Sequence, residues 1–136
     1  MAGKRRIDAA EGRAAVDAWV SRVGAEVPRE TLATAVRFTL EELAEFAPGR
    51  SVEVRVPPFG AVQCIEGQTH RRGTPPAVIE TDAETWLSLA TGKLSWADAV
   101  AAGSVDASGA RADLAALLPL IAGDEAAGGT SGGGAW

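Results

Sequence analysis

Histidine and cysteine are almost missing from this chain of 136 residues: there is one of each, His70 and Cys64. One thiol cannot form an internal disulfide, which fits a reducing cytosol. One His and one Cys cannot build a zinc site of the usual nitrogen and sulfur kind, so no metal is expected. No apolar run approaches the roughly 20 residues needed to cross a bilayer, so no transmembrane segment is expected. The basic start, Met1 to Arg6, leads into Ile7-Asp8-Ala9-Ala10-Glu11 rather than an apolar stretch. A secretory leader is therefore not expected, and the chain reads as cytoplasmic. The formal net charge is −5, with no excess of Lys and Arg. That argues against nonspecific nucleic-acid binding, which uses a basic surface. The glycines after Gly123 are not followed by Gly-Lys-Ser/Thr, so they form no phosphate loop.

What is present suits one small domain. Hydrophobic residues make up 46% of the chain, and a chain of this length buries roughly two thirds of its unfolded surface. Residues 1–7 read as a basic arm, residues 8–122 as a single domain and residues 123–136 as a flexible Gly-rich tail. Asp8 and Glu11 have capping-box spacing. Behind them Val16, Trp19, Val20 and Val23 fall on one helical face, ending near Gly24. Pro28 opens a second helix with Leu32, Val36, Leu40, Leu43 and Ala47 on one stripe. Arg37 and Glu41 are spaced to pair on its other side.

The period then becomes two. Val52, Val54 and Val56 alternate with Glu53 and Arg55, predicting a half-buried strand. Pro57-Pro58-Phe59-Gly60 reads as a turn, and Ala61 to Glu66 as the hairpin partner. A polar loop follows from Gly67 to Gly73, then a short strand over 77–80. Thr81 or Asp82 caps a helix carrying Trp86, Leu87, Leu89 and Ala90. Ser95 caps a short helix ending at Gly103. A brief strand over 104–107 precedes a last helix with Leu114, Leu117, Leu118 and Ile121 on one face. Strands cluster in the middle instead of alternating with helices, which predicts an α+β fold with a mainly antiparallel twisted sheet.

Catalytic residues are not indicated. Glu41, Glu42 and Glu45 lie on the solvated side of a helix, not in a pair across a cleft. A Ser-His-Asp arrangement could use only His70, which stands in a polar loop beside Arg71 and Arg72. That cluster reads as a solvated loop, or as a means of attracting an anion or lipid headgroup. Cys64 lies on an alternating strand and reads as a small buried hydrophobe.

One stretch carries more than periodicity. It runs from Ala77-Val78-Ile79-Glu80 through an Asp82-initiated helix to Thr91-Gly92-Lys93-Leu94. A short helix then leads to Gly103-Ser104-Val105-Asp106-Ala107-Ser108-Gly109. This pattern resembles the C-terminal half of the sterol carrier protein family, closest to the small bacterial members. It is also similar to the C-terminal domain of mycothiol-dependent maleylpyruvate isomerase relatives. The resemblance is good over about residues 77–120 and extends to 30–76. It implies a sheet covered on one face by helices, with a lipid or other apolar small molecule held between them and no cofactor. On that implication the ligand would be lined by Trp86, Leu89 and Trp96, by Leu114, Leu117 and Leu118, and by Val54 and Val62 of the sheet. The isomerase relatives carry their metal ligands on a separate N-terminal domain, which this chain lacks, so that activity is not carried over. The second expectation is an accessory domain that docks a protein partner and holds no ligand, and the third, ranked last, is a thiol-dependent isomerase-like enzyme.

Overall fold

The computed structural model describes residues 6–67, 77–109 and 112–121. The His70-Arg71-Arg72 cluster, the tail and most of the basic arm lie outside the described residues. In chain order the elements are α1 (Ala9–Val20), α2 (Arg29–Phe46), β1 (Val52–Val56), β2 (Gly60–Cys64), β3 (Ala77–Glu80), α3 (Ala83–Ala90), α4 (Trp96–Ala101) and β4 (Asp106–Ser108). A single 3₁₀ turn follows at Ala115–Leu117.

The helix starts follow their capping residues. The Asp8 carboxylate accepts from the N–H groups of Ala10 and Glu11, Asp82 from Thr85, and Ser95 from Asp98. Each satisfies donors that the helix itself leaves unpaired. Between α1 and α2 the spacing is tight. A Cβ on Gly12 would collide with the Phe38 ring, so only glycine leaves room for that ring against α1.

The sheet order is β2-β1-β3-β4. β1 pairs antiparallel with β2 and parallel with β3, and β3 pairs antiparallel with β4. The sheet is thus mixed: two antiparallel pairs joined through a central parallel one, a refinement of the mainly antiparallel expectation. The register puts Val52 beside Cys64 and Ala77, and Val54 beside Val62 and Ile79. Directly paired residues share a face. Most of this inner face is buried: Val52, Val54, Val56 and Cys64 have no exposed surface, and Val62 is half-buried. The opposite face carries Glu53, Arg55, Glu80 and Asp106, half-buried or exposed. Alternation along the strands therefore gives one wet face and one that needs cover. Helix residues Val36, Leu40, Leu43, Trp86 and Leu87 join the inner face in one continuous core.

Three expectations change. Helix α1 stops at Val20, so Val23 lies beyond it and is 89% exposed. Arg37 and Glu41 do not pair. Arg37 Nε donates to the Phe59 carbonyl, while Glu41 accepts from the backbone N–H groups of Arg6 and Ile7. The last helix does not form. Asp113 accepts from Ala115 N–H in a local turn, and one 3₁₀ turn follows. Pro119 then holds Leu118 in an extended conformation (φ −108°, ψ 145°), as a residue before proline prefers. Too few residues remain between Asp113 and Pro119 for an α-helix. The segment instead closes onto α3, where the N–H groups of Leu120 and Ile121 both donate to the Ala90 carbonyl.

Candidate functional site

The eight apolar residues expected to line a ligand fall into three groups. Val54, Trp86 and Leu114 have no exposed surface and sit inside the continuous core. Leu89 is also buried but stands outside that cluster. Val62, Trp96, Leu117 and Leu118 are half-buried and pack against its margin. Trp86 and Leu89, three positions apart on α3, are both buried, but only Trp86 belongs to that cluster. Leu117 and Leu118 approach from the 3₁₀ turn and the extended residue after it, not from a helical stripe.

Trp86 is fixed by a polar contact as well as by packing. Its indole N–H donates to Thr39 Oγ1 at 2.8 Å, and that hydroxyl in turn donates toward the α2 carbonyls of Ala35 (2.8 Å) and Val36 (2.9 Å). Both groups are buried, so each would be costly to leave unpaired. The relay joins α3 to α2 directly above the inner sheet face. Sequence reasoning singled out Trp86 and missed Thr39. The available signal was a hydroxyl at i+3 from Val36 and i−4 from Leu43, inside an apolar stripe, where it must find a partner.

A second network lies at the C-terminal end of α1. Trp19 is 1% exposed. Its indole N–H donates to Glu84 Oε2 at 3.1 Å, and Arg22 Nη2 donates to Glu84 Oε1 at 2.8 Å. The Arg22 guanidinium also lies 4.1 Å from the Trp19 ring centroid, with the Lys93 ammonium at 5.8 Å. One carboxylate on the first turn of α3 thus ties both polar groups at the end of α1.

Cys64 is the buried nucleophile of the inner face. Loss of hydration pushes its thiol up to about 12 from an ordinary 9.0, so it is a protonated, unreactive group at neutral pH. Two results are expected. Ellman's reagent modifies Cys64 only as fast as the protein unfolds. Above pH 9 the unfolded thiol ionises while the folded one keeps its proton, so the unfolded state binds fewer protons and stability falls. The loss is about 1.4 kcal/mol per pH unit toward pH 12. Denaturant titrations of the parent and Cys64→Ala between pH 8 and 11 check this: the difference in slope should vanish below pH 9.

Among the described residues, no group of three or more His, Cys, Asp or Glu side chains could hold a metal ion. No described helix is long and apolar enough to cross a membrane. The geometry of the described residues is that of an apolar interior against one face of the sheet, with the buried hydroxyls of Thr39, Ser51, Thr81 and Thr91 hydrogen-bonded. No curated protein matches the chain. A family model described as bacterial SCP ortholog matches residues 28–120, from the start of α2 through the segment that closes onto α3. The match does not reach α1, and it does not bear on the isomerase relatives. With two thirds of its length matched and an α+β fold compatible with that match, the chain belongs to the bacterial branch of the sterol carrier protein family.

Proposed function

We propose that this protein is a non-catalytic, cytoplasmic carrier of a lipid or other apolar small molecule. The binding region lies between the inner sheet face and the elements over 82–121, within a single domain of residues 8–122. The observation that carries this reading is the family match across 28–120. The apolar inner face of β1 and β3 beneath α2 and α3 supports it. Val54 and Trp86 would line the deep end, with Leu89 and Leu114 beside them. Val62, Trp96, Leu117 and Leu118 would line the margin. A ligand pocket of this kind is mostly apolar with a few polar groups that orient its occupant. The Thr39–Trp86 pair is a buried polar contact at the deep end.

The test has two parts. Native mass spectrometry of the purified protein, followed by organic extraction, should find a bound apolar molecule. A dibrominated fatty acid should quench tryptophan emission at micromolar concentration, and Trp86→Phe, with its fold verified by circular dichroism, should lose most of that response. Undiminished quenching in Trp86→Phe would move the site elsewhere. No retained molecule and no quenching in the parent would remove the carrier reading and favour an accessory domain that docks a protein.

A further inference from the structure

The deep residues of the proposed region have no opening to solvent: Val54, Trp86 and Leu114 are 0% exposed and Leu89 is 1% exposed. Any exchange of an apolar guest therefore requires an element to move. The elements differ in how they are held. β1 and β3 are fixed by ladder hydrogen bonds on both sides. α2 and α3 are tied to each other by the buried Trp86–Thr39 bond, and α3 is further tied to the closing segment through Ala90. Among the described residues α1 has no strand partner, and its polar ties to the rest of the domain lie at its two ends: the N–H groups of Arg6 and Ile7, just before it, donate to Glu41, and Trp19 and Arg22 donate to Glu84. The helix lies before the part of the chain that matches the family. Its packing face is short: Gly12, Ala15, Val16 and Trp19 are its buried residues. The residues that join it to α2, from Ser21 to Pro28, are exposed or half-buried.

What holds the far end of α1 is the Glu84 carboxylate, whose side chain is 58% exposed. It receives the Trp19 indole N–H and the Arg22 guanidinium together. An ion pair so exposed is worth little by itself, and the indole bond adds the modest net value of one hydrogen bond. Trp19, however, belongs to the same continuous core as Trp86. Movement of α1 away from α2 would withdraw that large ring from the core without breaking the sheet or the α2–α3 tie.

We infer that α1 is a hinged cover over the apolar interior, latched by Trp19 and Arg22 on Glu84 and opening as a unit on the Ser21–Pro28 linker. Opening bares the α2 surface around Phe38 and the place vacated by Trp19. The functional half of the inference, that this is the route for an apolar guest, rests on the carrier reading. The opening itself does not.

Native-state hydrogen exchange on the full chain tests the opening. Amides of Ala15 to Trp19 should be at least about tenfold less protected than those of Val54 and Ile79, because partial openings expose low-stability units before the core. Glu84→Ala should lower α1 protection by about a further five- to tenfold and leave Val54 and Ile79 unchanged. Glu84→Gln keeps an acceptor for the indole and removes the charge pair, so it should fall between. Equal protection of α1 and the strands, falling together in Glu84→Ala, would overturn the hinged cover. The route is tested by stopped-flow association of cis-parinaric acid, which should speed up in Glu84→Ala in step with the exchange rates. Association at the parent rate would reject α1 as the route while the carrier reading stands. Faster α1 exchange with no probe uptake by any variant would support the hinged helix and remove the carrier reading.

Discussion

Trp86→Ala is expected to lower the unfolding free energy by about 3–5 kcal/mol. Three losses coincide. The ring leaves a core position with no exposed surface. The surroundings, α2 above and the sheet below, are fixed by their own hydrogen bonds and cannot collapse into the gap. The Thr39 hydroxyl loses its donor, though it keeps its own bond to an α2 carbonyl. Thr39→Val reverses the asymmetry. It preserves volume but strands the buried indole N–H, and the expected cost is about 1–3 kcal/mol. In the double variant Trp86→Phe/Thr39→Val neither polar atom remains. Its destabilisation should therefore be less than the sum of those of Trp86→Phe alone and Thr39→Val alone, by about 1 kcal/mol. Urea titrations of the four proteins check the cycle. Strict additivity would mean that the 2.8 Å bond contributes nothing.

Gly49→Ala is expected to cost about 2–4 kcal/mol. Gly49 lies between the end of α2 and the start of β1 with φ +153°, a conformation that side-chain-bearing residues rarely adopt. A Cβ there would also stand 2.1 Å from the Ile65 carbonyl carbon and oxygen and 2.4 Å from Glu66 N. These are backbone atoms and cannot swing aside. Ile65 N–H donates to the Ala47 carbonyl, and the Ile65 carbonyl accepts from both the N–H and the hydroxyl of Ser51. The junction between helix and hairpin is therefore a closed knot of short bonds, and a methyl group must break it. Gly24→Ala is the control. Gly24 also has a positive φ of 74°, but nothing lies within 4 Å of its added Cβ. Its cost should stay near the roughly 1 kcal/mol of a left-handed residue alone. Equal midpoints for the two variants in urea would refute the steric half of the argument.

The sequence was most legible where side-chain chemistry acts locally. Asp8, Asp82 and Ser95 announce their helices because a capping oxygen needs only the next few N–H groups. The alternation of Val52, Val54 and Val56 announces a strand with one buried face. Legibility failed where distant residues decide. Nothing near Leu114 reveals that the closing segment will spend its N–H groups on Ala90 instead of on a helix, although Pro119 limited that helix from the start. The parallel pairing of β1 with β3 is a property of topology and leaves no periodic mark. Among the site residues, burial of Trp86 and Val54 followed from pattern. The Thr39 hydroxyl and the Glu84 carboxylate were hidden because their partners are far along the chain.

The register also determines where this architecture can absorb new sequence. Cys64, at the end of β2, and Ala77, at the start of β3, both stand beside Val52 on opposite sides of β1. The connection from Ile65 to Pro76 therefore has to span only two strand spacings, about 10 Å, far less than its contour would reach. Its closure free energy depends on the logarithm of its length, at about 0.6 kcal/mol for each doubling. By contrast, only Thr81 and Asp82 separate β3 from α3, and Thr81 is already committed through its N–H to Arg55 and through its hydroxyl to Ser104. Lengthening that junction would shift α3 off Thr39. Natural variation in length, and any inserted tag or reporter, is therefore best accommodated between β2 and β3, where the strand pairing stays intact however long the excursion.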